Sequence, residues 1–419
     1  MRYVKLGALG ILAATLCCGS ALAQQTYQLY QVNEGKVASP QMADSQIVDF
    51  YVGENYDSNV THSDQAIAEA RGLQQADWYT QVGMNATVIQ TLGIQRFFVR
   101  GDAEFTWYAR NHQLDYAAAH FSGGDSIRVG QCAVTGEGDY YRKRTDDVVF
   151  IAAAIENVAT TGSAELNFDC SQKKFGIAPS VGVSERWTTN SADAFRDADN
   201  KIFTVTAGLD YRNPVLGSLG FFGEYDDVKF DHALLFVDDT FFKDSFYDWS
   251  AGARYVKQFD PRFGIMATVT YTTVGSNIPD GPDFHGVTYS LDATYNPLPR
   301  LFGHANFSRQ VLPSDQPFAT FSVSENYEAD FGYAVNQMLR LSLRGWIDDI
   351  HYHETTSLLP ILNIPDQRIY YAQADAGFRI NNHLWIDGFV AEQHGDVNVA
   401  AYDYWSTIVG LKVRVNFGQ

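Results

Sequence analysis

Apolar and polar positions alternate along the closing stretch of the chain, Tyr404 to Gln419. Trp405, Thr407, Val409, Leu411, Val413, Val415 and Phe417 form one set; Ser406, Gly410, Lys412, Arg414 and Asn416 form the other. A period of two over this length predicts a β-strand with one apolar and one polar face. The pattern recurs. Leu339, Leu341, Leu343 and Ile347 oppose Arg340, Ser342, Arg344 and Asp348. Phe203, Val205, Ala207, Leu209 and Tyr211 oppose Thr204, Thr206, Asp210 and Arg212. Phe97, Val99, Ala103, Phe105 and Trp107 oppose Arg96, Arg100, Asp102 and Glu104. Val287, Tyr289, Leu291, Ala293 and Tyr295 oppose Thr288, Ser290 and Asp292. A soluble sandwich would bury the apolar sets against each other; a membrane barrel would turn them to lipid and the polar sets to a lumen.

The connections discriminate between the two. Short turns rich in Pro, Gly and Asn fall at 212–218, 258–264, 296–303, 335–340 and 380–385, and longer polar segments fall at 190–200, 232–243, 276–284, 312–319, 354–366 and 395–403. Tight reversals favour those residue types, and alternating short and long connections are the habit of outer-membrane barrels. Walking back from the C-terminus places strands near 404–417, 383–394, 367–381, 338–353, 320–335, 300–311, 285–297, 261–275, 244–258, 218–231, 201–213, 175–189, 156–169 and 127–143. Three more lie at 46–58, 77–91 and 94–110. The odd total becomes even if 112–121 is a strand closed by a tight turn at 122–125 (Ser-Gly-Gly-Asp). The expected fold is all-β, a transmembrane antiparallel β-barrel of about 18 strands. It has short periplasmic turns and longer outer loops, and 16 strands remain open if weak segments are loop.

Composition sharpens the compartment. Arg2 and Lys5 precede the apolar run Leu6 to Cys18, and Ala21 to Ala23 supply small residues at a cleavage position. This reads as a secretory leader over 1–23, followed by a short periplasmic segment over 24–45 and a barrel over 46–419. A lipoprotein signal would need a small residue before the modified cysteine, where Leu16 stands. Removing Arg2 and Lys5 takes the net charge from −19 to −21, which excludes nucleic acid as a partner. The remaining cysteines, Cys132 and Cys170, are expected to form one disulfide in an oxidising compartment, near one rim of the barrel. An aromatic content of 14% suits the interfaces of a lipid layer, the first expected partner, in the outer membrane of a Gram-negative cell.

The last strand also resembles the signal read by the barrel-assembly machinery, a second expected partner, with Gly410, Val413, Val415 and Phe417 in the right rhythm. "FYVGENYDSNV" (Phe50 to Val60), followed by "TLGIQRFFV" and "NHQLDY", resembles the β-barrel porin 2 family of outer-membrane barrels. Members of that family are associated with exopolysaccharide. The resemblance covers most of the chain beyond the leader. It implies a single barrel and, beyond that, a role in polysaccharide secretion; it brings no functional residues with it.

Candidate chemistry lies on the polar faces. Arg96, Arg100, Arg212, Arg254, Arg340, Arg344, Arg379, Lys412 and Arg414 are expected inward, with Asp102, Glu104, Asp210, Asp292, Glu328, Asp330, Asp348 and Asp375. Such charges set selectivity in pores or hold neighbouring strands together as ion pairs. Arginines among them can take carboxylate-bearing sugars bidentately. His351 with His353, and Asp193 with Asp197 and Asp199, are too sparse for a metal site. No Gly-x-Ser-x-Gly elbow is present, and no catalytic residue or cofactor is expected. The expectation is a barrel that passes or guides a solute, either a secreted polysaccharide or small diffusing molecules. The alternative is a structural barrel filled by its own side chains.

Overall fold

The computed structural model describes residues 44–145, 157–170, 175–237, 240–277, 281–314, 319–354, 366–397 and 403–418. The expected leader and nearly all of the segment that follows it lie outside them. Eighteen antiparallel strands form one closed sheet in sequence order. They are β1 (Ser45–Asp57), β2 (Asp77–Leu92), β3 (Gln95–Tyr108), β4 (Tyr116–Val129), β5 (Cys132–Thr145), β6 (Asn157–Asp169), β7 (Gly176–Asn190), β8 (Asn200–Asn213) and β9 (Gly217–Val237). The remainder are β10 (Thr240–Asp260), β11 (Phe263–Ser276), β12 (Phe284–Leu298), β13 (Leu301–Pro313), β14 (Ala319–Ala334), β15 (Leu339–Glu354), β16 (Gln367–Arg379), β17 (Leu384–Val397) and β18 (Tyr404–Gly418). Strand β1 pairs with both β2 and β18, so the ring closes and no strand edge is left unpaired.

The short turns share one device. Asn213, Asp260, Asn336 and Asn381 each accept two backbone N–H groups, from the residues two and three positions on, at 2.6–3.1 Å. These Asx turns reverse the chain without needing a partner elsewhere. They all lie at the end that holds Ser45 and Gly418. The long connections lie at the other end.

One expected reversal is misplaced. Ser122 to Asp125 lie inside β4, and the turn falls at Gly130 and Gln131, with Gly130 at φ 66°. The two glycines serve the sheet interior: a side chain at Gly124 would run into the carbonyl of Gly136 and the ring of Phe98. The strand expected at 112–121 begins only at Tyr116, after a 3-10 turn over His112–Leu114. A second difference is the segment 232–243. Strands β9 and β10 run on through most of it, each reaching 21 residues.

Exposure follows the strand period. On β15, Leu341 and Leu343 are exposed, while Arg344 and Trp346 are not. The outward aromatics form two bands. Tyr56 with Trp78, Tyr225 with Trp249, and His394 with Trp405 make ring contacts at 5.2, 4.5 and 4.1 Å toward the long-loop end. Phe50 with Phe417, Phe175 with Tyr211, and Phe263 with Tyr295 do so at 6.0–6.2 Å near the short-turn end. Trp405 and Phe417 are twelve positions apart on β18. At about 3.3 Å per residue and a tilt near 45°, that separation is about 28 Å of height, the thickness of a hydrocarbon layer.

Candidate functional site: the barrel interior

The inner face is polar and internally bonded. Arg96, Arg100, Asp102 and Glu104 share the face of β3 opposite exposed Phe97, Val99 and Trp107. Glu104 accepts from Tyr51 at 2.6 Å and from Gln81 at 3.0 Å. Asp210 on β8 takes Arg254 of β10 at 3.0 Å and Arg212 at 3.9 Å. The Arg254 contact reaches over β9, where Gly220 lies against the Asp210 carboxylate and any larger residue would block it. Asp330 takes Arg344 at 2.6 Å, with Glu328 4.0 Å from the same nitrogen. Asp348 accepts from Ser324 at 2.9 Å. Asp375 accepts from Ser342 at 3.4 Å and also from Gln373. Lys412 lies over the ring of Tyr51 at 4.4 Å. Arg414 pairs with Asp387 at 3.2 Å.

Two histidines outside the expected set complete this network. His120 on β4 bridges Asp102 at 3.2 Å and Asp139 at 2.8 Å. His304 on β13 bridges Asp330 at 3.4 Å and Asp292 at 2.8 Å. Strands β4 and β13 are nine apart in a ring of eighteen, so the two triads face each other across the lumen. Both ring nitrogens are engaged in each, which leaves neither available to a metal.

The long-loop mouth is narrowed from within. Residues 319–324 of β14 are buried on both parities. Phe321 has no exposed surface and its ring lies 5.9 Å from that of Phe246 on β10. Four inter-strand spacings lie between β10 and β14, about 19 Å along the wall at about 4.8 Å each, so the β13–β14 end must lean into the barrel. There Phe321, Val311 and Val323 pack with Ile202, Val228, Phe230, Phe246 and Val274 of the facing wall. Thr320 donates to Asp244 at 3.2 Å and latches the contact.

The "YDSN" stretch, one part of the family resemblance, closes the seam between first and last strands. Asp57 accepts from the backbone N–H of Asn59 at 2.7 Å and from the Ser406 hydroxyl. The Ser58 hydroxyl accepts from the Thr407 N–H at 2.7 Å, and Asn59 donates to the carbonyls of Ser63 and Trp405 at 3.0 and 3.3 Å. The connection continues into α1 (Gln65–Ala70), capped by Asp64 accepting from the Ile67 N–H at 2.8 Å. Val60 and Leu73 then pack on Tyr108 and Leu114. Gly410 has a packing role at the same seam, since a side chain there would collide with Asn55 and Phe389.

The remaining candidates resolve into structural contacts. Cys132 and Cys170 are bonded to each other with their Cα atoms 3.8 Å apart, joining the start of β5 to the residue after β6 at the short-turn end. Asp193 pairs with Arg196 at 3.0 Å, and Asp199 accepts from Asn190 at 2.6 Å. Burial pushes the Asp199 carboxyl above its ordinary range. His351 lies 3.0 Å from Asp366, and the His353 ring stacks on Phe321 at 4.6 Å. Among the described residues no cluster of His, Cys, Asp and Glu has the geometry to hold a metal.

One inner-face constellation lay beyond the sequence pattern. Trp385, the second residue of β17, points inward against the expectation that large aromatics face lipid. The guanidinium carbons of Arg340, Arg379 and Arg414 lie 5.9, 5.7 and 5.8 Å from its ring centroid.

No protein-family model and no curated protein matches this chain. Among solved structures it is similar to OccAB3 of Acinetobacter baumannii at 10% identity and a TM-score of 0.43, covering 90% of this chain and 100% of that one. It is similar to OccK2 (OpdF) of Pseudomonas aeruginosa at 11% identity and a TM-score of 0.45, over 90% and 98% of the two chains. It is also similar to the FrpB iron transporter of Neisseria meningitidis at 10% identity and a TM-score of 0.45, over 85% and 62%.

Proposed function

We propose that this protein is an outer-membrane β-barrel that passes a selected solute through its lumen. The observation that carries the reading is the inversion of its faces: a closed ring with apolar residues and two aromatic bands outside, and charged, hydrogen-bonded residues inside. Lipid rewards the first arrangement and a watery passage the second. The inward β13–β14 end supports a restricted passage over a wide, unselective one. Guidance of a secreted polysaccharide rests on the sequence resemblance alone; of the residues that carry it, Asp57, Ser58 and Asn59 are occupied in closing the seam. The same reading has strand β18, which carries Gly410 and Phe417, recognised by the assembly machinery.

Planar-bilayer recording tests it. The refolded chain should give discrete conductance steps, and Phe321→Ala should enlarge them by removing the ring wedged against Phe246. If neither protein conducts, the barrel is filled and structural. Recovery of the protein in the soluble periplasmic fraction would overturn the membrane assignment itself.

A further inference from the structure

The three arginines around Trp385 form an unusual group. Each guanidinium carbon is 5.7–5.9 Å from one indole centroid, so no two are more than about 12 Å apart. Like charges held this close repel, and the indole face offsets only part of that cost. Their remaining bonds differ. Arg379 is anchored, donating to the Asn381 carbonyl at 3.1 Å and to Asn382 at 2.7 Å. Arg414 is half-committed: it pairs with Asp387, but its Nε is buried with no partner. Arg340 donates to no carboxylate or carbonyl among the described residues, and Trp385 is its ring contact. Unmade donors on a sheltered wall are costly, and a bound anion would satisfy them.

The neighbours narrow the kind of anion. Arg340 and Arg414 line one lumenal pocket with Asp375, Asp387 and Gln373. These acceptors would repel a bare polyanion. They suit a ligand that brings hydroxyl donors along with its negative charge. Guanidinium forks take carboxylates bidentately, and the Trp385 ring behind Arg340 and Arg414 holds the two forks beside each other. We infer that Arg340 and Arg414, positioned by Trp385, form a lumenal binding site for a carboxylate-bearing sugar, such as a short uronate oligomer, at the short-turn end of the barrel. The inference rests on the reading that solute passes through the lumen.

The test is calorimetric titration of trigalacturonate into the refolded full-length chain in detergent, alongside bilayer recording. Trigalacturonate should bind and should interrupt the current. Maltotriose, its neutral counterpart, should do neither, and inorganic tripolyphosphate should bind at least tenfold more weakly. Arg340→Gln should weaken trigalacturonate binding at least tenfold. Arg340→Lys, which keeps the charge and loses the fork, should weaken it severalfold while showing the same heat-modifiable migration as the parent. Absence of binding, equal binding by both Arg340 variants and the parent, or equal affinity for tripolyphosphate would each overturn the site. Conductance without binding removes the site and leaves the passage reading intact. Arginine-dependent binding without conductance removes the passage reading and leaves the site.

Discussion

At the scale of single residues, the interior depends on a few close approaches. Arg254 reaches Asp210 only because position 220 on the intervening strand is glycine. The Asp210 side chain is 7% exposed, so loss of its main partner leaves a charge that water reaches poorly. Arg254→Ala should therefore destabilise the barrel by about 3 kcal/mol, read as a lower urea midpoint for the heat-modifiable band. Arg254→Met should cost about as much, because it restores volume without charge; a midpoint equal to the parent's in both would show that the pair carries no stability. His120 and His304 teach a related lesson. Their polar-face positions follow from the alternation, but the carboxylate on each side comes from a different strand. With the reversal expected at 122–125, His120 could not be set beside Asp139. One misplaced turn hid that side of the triad, while the register with Asp102 on β3 did not depend on it.

At the scale of elements, the hairpins were the most legible part of the chain. Asn and Asp at the short turns bond their own backbone, so the signal is local and the sequence displays it. The turn at Gly130 is also local, with its positive φ, but the Gly-Gly pair at 123–124 outcompetes it as a turn signal. Gly124 answers to Phe98 and Gly136, which lie on the neighbouring strands β3 and β5. The disulfide belongs to this scale because it joins the ends of adjacent strands β5 and β6 across 38 residues. Replacing Cys132 and Cys170 by serine should lower stability by about 2–4 kcal/mol under oxidising conditions. The difference should vanish when parent and variant are both unfolded in dithiothreitol. A difference that persists there would mean that the serines disturb the short-turn rim itself.

For the whole molecule, the sign of each face is the central fact. Leu343 is 59% exposed on the outer face, and Arg344 beside it is held inside by Asp330. Leu343→Arg places a charge in lipid at a cost of about 2–4 kcal/mol, and should reduce the membrane-integrated fraction. Ser342→Arg, one position away on the inner face, should integrate normally. The comparison is scored by membrane fractionation; normal integration of Leu343→Arg would show that this strand does not face lipid. The closed ring also brings distant strands together: β10 meets β14 through Phe246 and Phe321, and β4 stands opposite β13.

The sequence alone determined most of the strands, their two faces, the short turns that carry Asn213, Asp260, Asn336 and Asn381, and the pairing of Cys132 with Cys170. Each of these follows from a period of two, from a side chain bonding its own backbone, or from neighbouring strand ends at one rim. It also placed the charged candidates from Arg96 to Arg414 on the polar faces. Only the tertiary structure decided what those charges meet. Closure of the ring set which carboxylate each arginine and histidine reaches, left Arg340 beside Trp385 with no ion-pair partner among the described residues, and folded one hairpin end into the lumen. Alternation assigns a side chain to a face. It carries no information on how far the chain leans across a cavity, because that depends on the packing of residues from strands that are not neighbours.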